Sequence, residues 1–491
     1  MMSLYFPNQY KAKLLLLTCL LIIGLFPIGL PAAEVDTRPN VLFLAVDDMN
    51  DWTSVLGGYR GQVHTPNMER LASRGLLFTN AHCPSPSCNP SRTAILTGLH
   101  PTTTGIYGNR QPWIPHMGSV TTLPGHFKER GYLTVGAGKL FHHSNNSNPR
   151  ESWHDFRDLE RVPKPADFPS AGIADRASML TMDWKPLDID DEEMSDGGAA
   201  RWSAAFLKQD HKQPFFLACG IFRPHLPWYT PKRYFDLYPL DDVVLPEVLE
   251  NDLDDVPPAG REVAAFRRID HELIAGGGLW KNAIQAYLAS ISFADAQLGI
   301  VLNALYESPY ADNTVIVLWS DHGWHLGEKQ HWHKYTLWER GTRVPFMMVV
   351  PGMTQPGSTT DMPVSLLDVF PTLAEVCGLP AERDLDGRSL VPLLKEPGRD
   401  WNHPVLISMY RGQYGVRSQH WRYIRYPDGS EELYDHWTDP HEWTNLAAMP
   451  GLEFVKQRLG RQIPNDPAPD APERSAYTVD AATGKFILKK K

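Results

Sequence analysis

Five segments of the chain are apolar without interruption over the length of a strand, and four of them run into polar or ionisable residues. Asn40–Val46 ends at Asp47-Asp48, Leu133–Gly138 at Lys139, and Thr314–Trp319 at Ser320-Asp321-His322. Pro214–Gly220 is followed five residues later by His225, and Val344–Val350 is the fifth run. Continuous rather than alternating apolar runs suit strands covered on both faces, as in a parallel sheet. Amphipathic patterns over Thr65–Leu76, Leu123–Arg130, Asn282–Leu305 and Val364–Cys377 predict helices, the last stopped by Gly378 and Pro380. The alternation predicts an α/β domain with a mostly parallel central sheet flanked by helices. Beyond residue 400 the runs shorten: Val405–Tyr410, Tyr414–Arg417 and Trp421–Tyr426, with a Pro427-Asp428-Gly429-Ser430 turn. These predict a small antiparallel sheet. The expected organisation is a large domain over 34–398 and a smaller one over 399–491, with Pro464–Arg474 as irregular tail.

The first 33 residues read differently. Lys11 and Lys13 precede an apolar run, Leu14–Leu30, followed by Pro31-Ala32-Ala33. Positive flank, apolar stretch and small residues describe a secretory signal peptide. A retained anchor is the rival, although the run is short for a span and holds Gly24, Pro27 and Gly29. The expectation is an exported protein, periplasmic, secreted or in a lysosomal-type compartment. No later segment is expected to span a membrane in the mature form.

Composition narrows the picture. With 42% apolar and 21% charged residues the chain can bury a large core, which excludes a disordered protein. The formal charge of -10 becomes -12 once the leader and its two lysines are removed, which argues against nucleic acid as a partner. Four cysteines then remain: Cys83, Cys88, Cys219 and Cys377. They could form two disulfides, or one if Cys88 is consumed by other chemistry.

Ligands of open α/β sheets bind beyond the carboxyl ends of the strands. A pair such as Asp47-Asp48 is by itself more often a turn or a cap. Convergence of Asp47, Asp48, Asp321 and His322 on one sheet edge would instead hold a divalent cation, and hard oxygen ligands favour Ca²⁺ or Mg²⁺ over Zn²⁺. The strongest local signal is Cys88-Asn89-Pro90-Ser91-Arg92 through Leu96-Thr97-Gly98. It reads either as a loop entering a helix, with Ser91 as cap, or as a helix N-terminus that favours negative charge at Cys88, with Arg92 to neutralise it. The residues alone leave both readings open.

With these motifs the chain resembles the type I sulfatases of the alkaline-phosphatase-like superfamily. Cys88 to Gly98 matches the family signature C-x-P-S-R-x-x-x-L-T-G throughout, and Asp47-Asp48 and Asp321-His322-Gly323 match its metal-binding segments in order. Gly138-Lys139-Leu140-Phe141-His142, Arg223-Pro224-His225-Leu226-Pro227 and Asp321 through Lys334-Tyr335 resemble the iduronate-2-sulfatase-like branch, as does His322 where many arylsulfatases have Asn. The resemblance covers essentially the whole mature chain.

The resemblance implies that a maturation enzyme oxidises Cys88 to formylglycine, whose hydrate attacks sulfur and then releases sulfate through its second hydroxyl. It implies one Ca²⁺ held by Asp47, Asp48, Asp321, His322 and modified Cys88. Arg92 would stabilise the ionised hydrate, and Lys139 and Lys334 would bind the sulfate oxygens. His225 would protonate the leaving alcohol and His142 would assist departure of sulfate, two roles the sequence leaves interchangeable. The implied partner is a sulfated carbohydrate, with a sulfated uronic acid suggested by the subgroup. A phosphodiesterase or phosphonate monoester hydrolase of the same superfamily is the alternative, and an inactive glycan-binding protein the third reading.

Other features stay open. Trp324 is either a wall for a sugar ring or a core residue. His331 and His333 form an H-x-H pair suggestive of a second metal, against which a single-cation site is already complete. Acidic stretches at 188–193 and 241–255 read as solvated loops. Asn145-Asn146-Ser147 is a glycosylation sequon if the host glycosylates exported proteins.

Overall fold

The computed structural model describes residues 37–118, 120–142, 148–158, 164–179, 181–380, 385–479 and 486–489. The leader and the sequon at 145–147 lie outside the described residues. Arg38–Lys491 form one compact unit.

An eight-stranded sheet is its centre. In chain order the strands are β1 Asn40–Asp47, β2 Leu76–Phe78, β3 Leu133–Gly138, β4 Asp155–Arg157, β5 Phe215–Pro224, β6 Thr314–Ser320, β7 Phe346–Val349 and β8 Ser358–Thr360. Their spatial order is β8-β2-β7-β6-β1-β5-β3-β4. β1 lies between β6 and β5, parallel to both, and β3 continues the parallel run beside β5. β7 runs against both its neighbours. The predicted mostly parallel sheet is therefore present, and the apolar run at Val344–Val350 is its reversed member.

Each apolar run serves two cores. Leu42, Leu44 and Val46 pack on one face against α4 (Ser195–Leu207) and α6 (Trp280–Tyr306), while Val41, Phe43 and Ala45 pack on the other. That second face is covered by α2 (Cys88–Thr97), α3 (Leu123–Glu129) and α7 (Val369–Val376). A strand buried on both faces has no polar side to show, which is why the alternation was missing from the sequence. By length and composition α6 is apolar enough to cross a membrane, contrary to expectation, but 83% of its apolar window is buried in this core. The helix expected over Thr65–Leu76 is shorter, α1 (Pro66–Ala72), because Leu76 already belongs to β2. The pattern over Val364–Cys377 likewise divides into a two-residue strand, a 3-10 turn and α7.

The second sheet is antiparallel, in the order β9 Val405–Ser408, β10 Tyr414–Arg417, β11 Trp421–Arg425 and β12 Glu431–Asp435. Its following segment is not a free tail. Ala468 and Ala471 donate their backbone N–H groups to Thr102 and Gly105, and Gln111 Nε2 donates to the Ala471 carbonyl at 2.8 Å. The acidic stretches also do more than meet solvent. Asp191 is 9% exposed and accepts from Tyr234 and Gln297, and Asp252 is 5% exposed and pairs with Lys329. Cys83, Cys88, Cys219 and Cys377 are buried and free, so the expected disulfides are absent among the described residues.

Candidate active site

Three parallel strands deliver the charged groups. β1 ends in Asp47 and Asp48, β6 is followed by Asp321 and His322, and β3 by Lys139. Gly138 turns the chain out of β3 at φ 82°, and a Cβ there would lie 1.9 Å from the Gly220 carbonyl oxygen, so only glycine fits. Across these strand ends lies the N-terminus of α2, whose first residue is Cys88. The cap position is Ser87 and not Ser91, since the helix starts earlier than expected; Ser91 Oγ instead donates to the Asp321 carbonyl at 2.6 Å. Asn109 closes the helix end from outside, its Oδ1 accepting from Ser87 Oγ and the Asn89 N–H, both at 2.9 Å.

Arg92 ties this edge together. Its Nε donates to Asp321 Oδ2 at 2.8 Å, Nη2 to Asp47 Oδ1 at 3.0 Å, and Nη1 to the carbonyls of Lys139 and Leu140. One guanidinium thus fixes two carboxylates and the exit of a third strand. Lys139 pairs with Asp47 Oδ2, and Lys334 Nζ lies 2.8 Å from both Asp48 Oδ1 and Cys88 Sγ. His322 Nε2 stands 3.3 Å from Asp48 Oδ1, 3.4 Å from Cys88 Sγ and 3.5 Å from Asp321 Oδ2. Its Nδ1 faces the Gly323 carbonyl at 3.0 Å, which places the ring proton there and leaves the Nε2 lone pair toward the cluster.

The electrostatics follow from burial and pairing. Asp47, Asp48, Cys88, Arg92, Lys139, Asp321, His322 and Lys334 are all at most 5% exposed. Burial raises the Asp47 carboxyl, but Lys139 and Arg92 overcome it and hold it well below the usual range. For Asp321, burial and the neighbouring Asp47 outweigh Arg92 and push the carboxyl up. Burial drives the Cys88 thiol up to about 12 despite Lys334 and Lys139. An unmodified cysteine here is a protonated thiol, a poor nucleophile. His225 is pushed down to about 3, chiefly by burial and against the pull of Asp48. Its Nε2 lies 3.7 Å from Asp48 Oδ2 and its side chain is 21% exposed, at the solvent edge of the site.

A cation fits this arrangement. The donor atoms of Asp48, Cys88, Asp321 and His322 lie within 4.8 Å of one another, as do those of Asp47, Asp48, Cys88 and His225. Asp48 Oδ2 is buried without a hydrogen-bond partner. A buried orphan carboxylate oxygen is costly unless a charge faces it. His331 and His333 do not join: His331 bonds the Ala264 and Lys334 carbonyls, and His333 pairs with Asp270 at 2.6 Å. Trp324 is a core residue, 2% exposed and edge-on to Trp228, not an open wall. His142 follows Lys139 by three positions and is half-buried.

Parallel strand ends, a buried carboxylate cluster and the helix N-terminus at residue 88 thus meet in one site. A family model described as Sulfatase matches residues 39–379, and a second, N-sulphoglucosamine sulphohydrolase C-terminal, matches 327–467. A Formosa agariphila sulfatase is 40% identical over 432 residues, covering 84% of each chain. The iduronate 2-sulfatase of Homo sapiens is 32% identical over 389 residues and covers 69% of each. A solved protein in complex with its substrate D-glucosamine-2-N,6-O-disulfate has the same fold, with a TM-score of 0.70 at 22% identity, covering 87% of this chain and 96% of that one. The chain belongs to the sulfatase family and is a sulfuric ester hydrolase.

Proposed function

We propose that this sulfatase hydrolyses sulfate esters of a sulfated carbohydrate, using formylglycine made from Cys88 and one Ca²⁺. The observation that carries it is the set of buried carboxylates around residue 88, with an Asp48 oxygen that accepts no hydrogen bond among the described residues, Lys334 on Asp48 and Cys88, and Lys139 on Asp47. Asp47, Asp48, Asp321 and His322 would hold the cation, which when bound supplies positive charge to polarise an ester oxygen. Formylglycine in its hydrated form supplies one hydroxyl to take the sulfuryl group and another to release it. Arg92 orients Asp47 and Asp321 and balances negative charge developing at residue 88. Lys334 and Lys139 bind the sulfate oxygens and are held in place beforehand by Asp48 and Asp47, so little reorganisation accompanies the reaction. His225 is neutral in the free site; an anionic ester beside it raises its proton affinity, which suits it to protonate the leaving alcohol. His142 assists departure of sulfate.

Sulfated uronic acid is the substrate suggested by the 32% identical iduronate 2-sulfatase. Domain limits at 34–398 and 399–491, export by the N-terminal leader and maturation by a formylglycine-generating enzyme belong to the same proposal. The alternative is phosphoryl chemistry, since the phosphonate monoester hydrolase of Agrobacterium radiobacter shares the fold with a TM-score of 0.66 at 21% identity. Steady-state rates on matched sulfate and phosphate esters separate the two. The proposal expects kcat/KM to favour sulfate, and faster phosphate turnover would replace it with the alternative.

A further inference from the structure

A cavity of about 360 Å³ opens beside Ser87, next to the reaction centre, and the chemistry above leaves it unused. Its walls include Arg110, Phe266, Arg267, Tyr335 and Tyr410. Tyr335 directly follows Lys334, and its hydroxyl accepts from Asn109 Nδ2 at 3.2 Å, the same Asn109 that closes the end of α2. The cavity is thereby attached to the group that binds sulfate and to the helix that carries residue 88.

The aromatic side chains are arranged for a ring. Phe266 and Tyr410 are 43% and 42% exposed, unusual for large aromatic residues unless something covers them. Phe266 meets Tyr335 edge-on, with centroids 5.7 Å apart. The apolar face of a sugar packs well on such surfaces, while its hydroxyls need polar partners. Asp470 and Glu473, both exposed on the cavity wall, are suited to accept them.

The two arginines add charge. Arg267 precedes α5 (Arg268–Ile274) and is half-buried, with its guanidinium carbon 5.0 Å from the Phe266 ring centre and 5.7 Å from that of Tyr335. Stacking on two rings holds the planar fork in one orientation. Arg110 and Arg267 line the same cavity as Tyr410, and their charges oppose the upward push that burial gives its phenol. Among the described residues neither arginine forms an ion pair with a carboxylate, and Arg267 Nη1 donates only to Met179 Sδ, a weak acceptor. Arginine forks free of carboxylates, beside a site that already handles one sulfate, are suited to a second anion.

We propose that Arg267, with Arg110, selects saccharides that carry a second anionic group near the scissile sulfate, a carboxylate or another sulfate. Phe266, Tyr335 and Tyr410 hold the sugar ring. This inference rests on the sulfatase reading above. It makes Arg267 a specificity-determining residue and leaves the bond-breaking step to the buried cluster.

The test uses the matured enzyme on saccharides sharing one scissile ester: a sulfated uronate, its neutral hexose counterpart, and the hexose with a second sulfate. The expected wild-type preference for the doubly anionic substrates is about tenfold or more in kcat/KM, and which of the two leads identifies the second anion. Arg267→Gln is expected to reduce that preference about 10- to 100-fold, the range of one charge-assisted contact. Arg267→Lys should recover part of it, and Arg110→Gln should lose less. Should Arg267→Gln fail to fold, Arg267→Lys and Arg110→Gln still read the preference. A preference that is absent in the wild type or untouched by these variants overturns this inference while leaving the sulfatase reading intact. Failure to release sulfate from any of the three saccharides or from an aryl sulfate overturns both.

Discussion

The reaction centre and the cavity beside it are built on opposite principles. In the centre every charged side chain is nearly inaccessible and has its partner: Arg92 with Asp47 and Asp321, Lys139 with Asp47, Lys334 with Asp48. In the cavity, Phe266 and Tyr410 are exposed, and among the described residues Arg110 and Arg267 form no ion pair with a carboxylate. Preorganised, desolvated charge is what a transition state needs, because its stabilisation must not wait for side chains to move. Arginines without a carboxylate and aromatic faces at an open surface are what a substrate needs, because its binding displaces mainly water. Changes in the centre should therefore abolish turnover of every substrate, and changes in the cavity should alter which substrate is preferred.

The largest effect should come from Cys88→Ser. A serine cannot supply the second hydroxyl, and sulfate release should fall by about 10⁴-fold or more, in line with removal of a nucleophile that acts as part of a unit. Retention of a tenth of the activity would erase the distinction drawn between centre and cavity. Next, a chelator should take activity to near zero and Ca²⁺ should restore it, since Asp48 Oδ2 has no hydrogen-bond partner among the described residues. Restoration by Mg²⁺ but not Ca²⁺ would change the ion. Lys334→Ala should cost about 10²- to 10³-fold in kcat, as loss of one charge-stabilising donor does. An effect confined to KM would place Lys334 with the cavity residues instead. Tyr410→Ala should be the mildest, raising KM roughly three- to tenfold with kcat unchanged, the worth of one aromatic contact.

The same division decides what was legible in the sequence. The centre is written in short contiguous segments, because a parallel sheet brings every strand's carboxyl end to one edge. Asp47-Asp48, Lys139 and Asp321-His322 could thus be placed together before any coordinates, and Cys88 to Arg92 joined them only through the family resemblance. Arg92 was read for its effect on residue 88, yet its hydrogen bonds to four strand-end groups depend on the geometry of three strands at once. The H-x-H pair was only a weak suggestion of a second metal, and in the structure His333 pairs with Asp270 at 2.6 Å while His331 bonds the Ala264 and Lys334 carbonyls. Trp324 could not be assigned to core or surface until Trp228 and Lys334 were seen to cover it. The cavity was invisible: Arg110, Arg267 and Tyr410 come from three segments distant in sequence, and Tyr410 was read only as the end of a strand-like run. Strand reversal at β7 was equally hidden, since buried strands of either direction are continuously apolar.

The central claim is that residue 88 does its work as formylglycine inside the carboxylate cluster. Mass spectrometry of the peptide spanning Cys88, taken from protein that releases sulfate, tests this most directly. The account predicts an aldehyde in place of the thiol, in a proportion that rises and falls with specific activity. Fully active protein in which residue 88 is entirely unmodified cysteine would contradict it.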